Sequence, residues 1–222
     1  MRKEIEHRVI EAAREFRKTN HLEGVKVRLA AGNAGVQAAI NDEVEKSELP
    51  MMLYVYAAIL ILVFLAYRDV RAMIACCMPL AVGTFIGYWF MKELNIGLTV
   101  ATLPVMVLAV GIGVDYAFYI YNRLQLHLGQ GFSIFAAMEK ALAFEAMATI
   151  FTAITLAAGV VTWSFSPLKF QADMGKLLAF MFLVNLIMAM TALPALAVVL
   201  ERILPRKTPV HVSELLSHPG AE

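Results

Sequence analysis

The sequence predicts an α-helical integral membrane protein, preceded by a small α+β segment. Three observations carry that prediction. Apolar residues make up 60% of the chain and charged residues 17%, against roughly 45–50% and about 25% in ordinary soluble domains. Mean hydropathy is +0.68. The charges are also unevenly placed: residues 1–49 hold 18 of the 37, and the remaining 173 residues hold 19. A disordered chain, a secreted disulfide scaffold and a nucleic-acid binder are all disfavoured by such a composition. The net charge of +1 implies no acidic partner.

The polar start has its own order. Residues 2–19 place Ile5, Val9, Ala12, Ala13 and Phe16 on one stripe, with charges elsewhere, which predicts an amphipathic helix. After Gly24, the apolar Val25, Val27 and Leu29 alternate with Lys26 and Arg28, as in a half-buried strand. Beyond Gly32-Asn33 a helix is expected through Val36, Ile40 and Val44 toward the membrane. One helix and one strand cannot form a core alone. Residues 1–49 therefore read as the tail of an α+β domain whose other strands lie upstream or on another chain.

Five stretches within 50–204 are long enough, at about 17–25 residues, to cross a hydrocarbon core of about 30 Å. They are placed at 50–67, 72–91, 97–121, 146–165 and 176–200, with a cytoplasmic linking helix over about 122–145. The second span holds Gly83 and Gly87 at the spacing that lets helix backbones approach closely. Cys76 and Cys77 in the same span are neighbours, cannot close a structural loop, and read as packing residues. The fourth span carries Thr149, Thr152 and Thr155 three residues apart on one face. Their hydroxyls either bond their own backbone carbonyls or face a polar path between helices. The fifth contains Asn185 near its centre and Pro194 near its end. His7, His21, His127, His211 and His218 lack metal-ligand spacing and read as surface residues, so no metal is expected. Residues 205–222, with Pro205, Pro209 and Pro219, read as a flexible tail.

Orientation follows from Lys and Arg in the short connections. Arg68, Arg71, Arg123, Lys140, Arg202, Arg206 and Lys207 fall on one side, and Lys46, Lys92, Lys169 and Lys176 on the other. That bias puts the 68–71 loop and the C-terminus in the cytoplasm and residues 1–49 outside. No signal-peptide pattern precedes those residues, so an upstream membrane helix is expected to carry them across. The chain thus reads as the C-terminal part of a longer protein.

The third span, GLTVATLPVMVLAVGIGVDYAFYIYNR, contains Asp115, the one carboxylate inside the five stretches as delimited above. A charged Asp at mid-helix costs about 2.5–3.5 kcal/mol on insertion scales, so it is expected to face protein or water and to be functional. Away from water a carboxyl favours its neutral form, where protonation becomes reversible. Tyr116 adds a hydroxyl next in sequence, although adjacent helix residues point about 100° apart. Gly111 lies one turn before Asp115 on its face, with Gly113 nearby, permitting close packing or a hinge. Pro104 is expected to loosen the outer half of this helix. Gly111-Ile112-Gly113 is not a nucleotide loop, because no strand and turn precede it. An ATPase or soluble hydrolase has no motif here. An intramembrane enzyme would need a second buried acid or a Ser/His pair, and Glu145, Ser164 and Ser166 lie only at span ends.

Gly111-Ile-Gly-Val-Asp115-Tyr116, followed by an apolar turn and Asn122-Arg123, resembles the fourth-helix signature of the RND superfamily. The closest likeness is to the branch of the mycobacterial membrane protein large (MMPL) exporters, and it extends over nearly the whole chain. Val25–Gly32 and Asn41–Glu48 resemble the last strand and helix of an RND extracytoplasmic porter domain. The five spans resemble the last five of a six-helix half. The resemblance implies export of hydrophobic or amphiphilic molecules such as lipids, driven by protons across the bacterial inner membrane, with no cofactor beyond the coupling ion. It also implies that Asp115 carries the proton, that Tyr116 is its partner, and that a second RND half completes the relay. That half would be supplied by the same polypeptide, a separate chain or a homodimer. A non-transporting lipid-binding or scaffold protein on this fold, and an RND relative that assists protein secretion, are the alternatives.

Overall fold

The computed structural model describes residues 33–97 and 102–203, together with Arg8, Glu11, Ala12, Glu15 and Phe16, which are helical. Those five fall within the helix expected over 2–19. The strand expected at Val25–Leu29 and the tail 205–222 lie outside the described residues. There is no strand among the described residues, so the α+β character assigned to residues 1–49 is not supported.

Five long helices make up the structure: α1 (Asn33–Tyr67), α2 (Val70–Glu93), α3 (Thr102–Gly129), α4 (Ile134–Val161) and α5 (Lys169–Ile203). Each contains a stretch long and apolar enough to cross a membrane, beginning in α1 at Lys46. The chain is a multi-pass membrane protein. The helix expected after Asn33 does run into the first span, as one continuous α1 that passes through Pro50. Starting that span at Lys46 also brings Glu48 inside it, so Asp115 is not the only carboxylate within the five helices.

The connections are short and built by local chemistry. Arg68, in the left-handed region at φ 49°, ends α1. Asp69 then caps α2 by accepting from the Arg71 backbone N–H at 3.0 Å. At the far end of α2, Asn95 turns at φ 52°. Ile96 N–H reaches the Met91 carbonyl at 2.9 Å and Asn95 N–H that of Lys92 at 3.1 Å, a Schellman closure. Gly131, at φ 87°, closes α3 in the same way on the carbonyls of His127 and Leu128.

That last turn alters the expected layout. Residues 122–145 do not form a separate linking helix: 122–129 continue α3, and 134–145 open α4 behind the Ser133 cap. The span pattern fades where the charges begin, yet the backbone hydrogen-bond ladder needs no apolar face to continue. The extension also buries His127, expected at the surface. Its ring lies edge-on to Phe132 at 6.0 Å, with Phe144 6.1 Å away, and its Nδ1 meets Gln130 Oε1 at 3.1 Å. The other four histidines lie outside the described residues.

The centre of the bundle is α5, which packs against α2, α3 and α4, whereas α1 leans on α2 and touches α3 less. Small residues make this close approach possible. A Cβ on Gly83 would sit 2.8 Å from Asn185 Oδ1, and one on Gly87 would collide with the Met181 thioether, so both glycines of α2 are notches for α5. Gly175 does the same for the α4–α5 corner, where a Cβ would stand 2.7 Å from the Val160 carbonyl. Phe90 and Phe180 stack across the α2–α5 seam, centroids 3.7 Å apart.

Candidate functional site

Asp115 is the fourteenth of the 28 residues of α3, at the middle of the helix. One side of α3 is core: Val105, Met106, Ala109, Ile120 and Leu124 are almost wholly enclosed. The opposite side carries Pro104, Leu108, Gly111, Asp115, Tyr119 and Asn122 at spacings of three and four, all of them exposed. Asp115 thus lies on an uncovered face of the bundle. Among the described residues it makes no hydrogen bond or ion pair.

The neighbouring candidates separate. Tyr116 is 1% exposed and points into the packed interior, and its hydroxyl has no hydrogen-bond partner among the described residues. The 100° step between adjacent helical residues produces that division. Gly111 shares the face of Asp115 and would meet nothing within 4 Å if it carried a Cβ. It is an open position, with no close contact inside this bundle. Gly113 is the tight one: a Cβ there would stand 2.6 Å from Leu80 Cδ1 and 2.8 Å from Asn185 Cγ. Pro104 is the third residue of α3 as described, and residues 98–101 before it lie outside the described residues.

Asn185 and the three threonines behave differently. Asn185, 3% exposed, donates from Nδ2 to the Ala109 carbonyl at 2.7 Å, linking α5 to α3. Its Oδ1 is buried with no hydrogen-bond partner among the described residues. Beside it, Cys76, Leu80, Gly113, Ala117 and Asn185 contribute to the lining of a cavity of about 10 Å³. Thr149, Thr152 and Thr155 each donate to a carbonyl one turn back in α4, at 2.8, 2.9 and 2.7 Å. Thr149 is buried, and Thr152 and Thr155 are exposed.

Sequence reasoning missed the polar ties at the Tyr67 end of the bundle. Tyr67 donates to Asn122 Oδ1 at 2.6 Å, joining α1 to α3. Arg123 Nε meets Glu145 Oε1 at 3.0 Å, joining α3 to α4, with the guanidinium 5.2 Å from the Phe144 ring centroid. Arg71 bridges Asp69 at 3.1 Å and Glu201 at 3.4 Å, joining α2 to α5. Unlike charges at the ends of neighbouring spans are a faint signal for such pairs. For Tyr67–Asn122 the single sequence holds none.

A sequence profile of the MMPL family matches residues 2–213. The chain belongs to the MMPL family. The family consists of RND-type transporters. A Methanocaldococcus jannaschii protein named as a membrane protein is 26% identical over 179 residues, covering 81% of this chain and 46% of its own length. A similarly named protein of Streptomyces coelicolor is 28% identical over 178 residues, covering 77% of this chain and 25% of its own. The MMPL chain described here therefore spans about half the length of one relative and a quarter of the other.

Proposed function

We propose that this MMPL chain is one membrane half of a proton-driven exporter of hydrophobic or amphiphilic molecules, lipids among them, in the bacterial inner membrane. Asp115 is the proton carrier and Tyr116 its partner, and residues 1–49 lie on the extracytoplasmic side. The observation that carries this reading is the exposure of Asp115 at mid-helix on an uncovered face. An acid held against lipid would cost about 2.5–3.5 kcal/mol. A protein surface that meets this face removes that cost and gives the carboxyl a partner. A second RND half is that surface, supplied by the same polypeptide, another chain or a second copy. The glycine at position 111 leaves room for its helix beside Asp115. Tyr116, turned inward with an unpaired hydroxyl, reaches a different neighbour from Asp115 and so extends the relay toward the interior of its own half.

The test is Asp115→Asn in the whole transporter, assayed in vesicles with an imposed pH gradient. The substitution keeps shape and removes titration, so gradient-driven efflux is expected to vanish while the protein remains in the membrane. Efflux that survives the substitution would overturn the relay.

A further inference from the structure

A second polar system runs along the inside of the bundle. Cys76, Leu80, Thr84 and Tyr88 recur every fourth residue and form one stripe of α2. At the outer end of that stripe the Tyr88 hydroxyl faces the Glu48 carboxylate of α1. Glu48 Oε1 is buried with no hydrogen-bond partner among the described residues. Deeper in, Tyr56 and Thr84 are joined at 2.7 Å. Thr84 spends its own proton on the Leu80 carbonyl at 3.0 Å, so Tyr56 is the donor and Thr84 keeps one acceptor lone pair. One turn further lies the cavity of about 10 Å³, lined by Cys76, Leu80 and Asn185 among others. That is room for about one water, which needs two or more polar partners.

Two are at hand. Asn185 Oδ1 is an unused buried acceptor. Cys76, which lines the same cavity, offers its sulfur as a second, weaker acceptor. A water at this place can donate to both.

We propose that Glu48, Tyr88, Tyr56, Thr84 and Asn185 line a hydrated route by which water and protons pass from the Glu48 end of the bundle to the inner side of α3. The route ends against Gly113, where a Cβ would collide with Leu80 and Asn185. On a helical wheel Tyr116 stands about 60° from Gly113 and about 100° from Asp115, between the cavity side and the acid. Delivery of protons to the relay rests on the function proposed above. Water access to the cavity does not, and it can be measured by itself.

The native thiol of Cys76 is the reporter. In the full-length protein carrying Cys77→Ala, in unsealed membranes, silver ion is added and the remaining Cys76 thiol is counted with a maleimide after denaturation. Silver ion, close to water in size, is expected to block Cys76 in the folded protein. Thr84→Val removes the hydroxyl at constant shape and should slow that reaction about tenfold, the worth of one lost hydrogen bond to a water in the path. Tyr56→Phe, which keeps the ring, should slow it likewise. Phe85→Ala, on the exposed side of the same helix, should leave it unchanged. A Cys76 that stays unreactive while folded, or rates indifferent to both Thr84→Val and Tyr56→Phe, would overturn the route. The silver reaction needs neither substrate nor pH gradient. It can therefore fail while Asp115→Asn still abolishes efflux, and the reverse.

Discussion

Asn185 of α5 binds the Ala109 carbonyl of α3 at 2.7 Å, and the same side chain occupies the space that a Cβ on Gly113 would need. Side chain and glycine thus fix one helix crossing together: the amide can reach the carbonyl only because position 113 carries no side chain. The carbonyl concerned is the one Gly113 N–H already uses in the helical ladder, so Asn185 supplies its second bond.

Gly111 and Gly113 should respond oppositely to alanine. Gly113→Ala overpacks the α3–α5 crossing and should destabilise the bundle by about 1–3 kcal/mol. Gly111→Ala meets nothing within this bundle and gains helix propensity, roughly 1 kcal/mol in its favour. Thermal unfolding in detergent micelles reads both. If a second half covers the Asp115 face, Gly111→Ala should nevertheless weaken efflux, which a stability measurement alone would not reveal.

Asn185→Leu keeps comparable bulk and removes the α5–α3 hydrogen bond. Interhelical bonds of this kind in membranes are worth about 0.6 kcal/mol on average and up to about 1.7. A loss in that range is expected on unfolding. A loss near zero would mean that the contact with Gly113, and not the bond, holds the crossing.

Thr149→Val, Thr152→Val and Thr155→Val should each leave efflux within about twofold of the parent. Their hydroxyls serve the carbonyls of their own helix, bonds whose replacement costs little. Their pairing across a helix interface would show instead as a severalfold loss in the triple variant.

Arg123 and Glu145 offer a measurement at the Tyr67 end of the bundle. Their side chains are 34% and 22% exposed, so solvent and salt weaken the pair, and a double-mutant cycle with Arg123→Gln and Glu145→Gln should yield about 0.2–1 kcal/mol. The coupling should shrink as salt is raised.

Hydropathy alone was enough to find five helices, because each span must satisfy its backbone internally and hide its polar groups. Where the helices end was less legible. The extension of α3 from Asn122 to Gly129 carries charge and so lost the apolar signal, although Gly129-Gln130-Gly131 marks the true break. The face of Asp115 was visible from its spacing with Gly111. Its exposure was not, since periodicity orders residues around a helix without telling which side its neighbours take. Asn185 stood out as a polar group at mid-span, but its partners Ala109 and Gly113 lie more than seventy positions away. Glu48, Tyr56 and Thr84 gave no signal for the same reason: their meeting is a property of how α1 lies on α2.

The notches at Gly83, Gly87 and Gly113 all receive side chains from α5, the last of the five helices to leave the ribosome. Until Met181 and Asn185 have been synthesised, α2 and α3 carry unfilled recesses, and their mutual contact is less extensive than the one each makes with α5. Before α5 arrives α2 and α3 are therefore loosely associated, whereas α3 and α4 can already pack on each other. Consolidation waits for α5, a single 35-residue helix that locks the others into place.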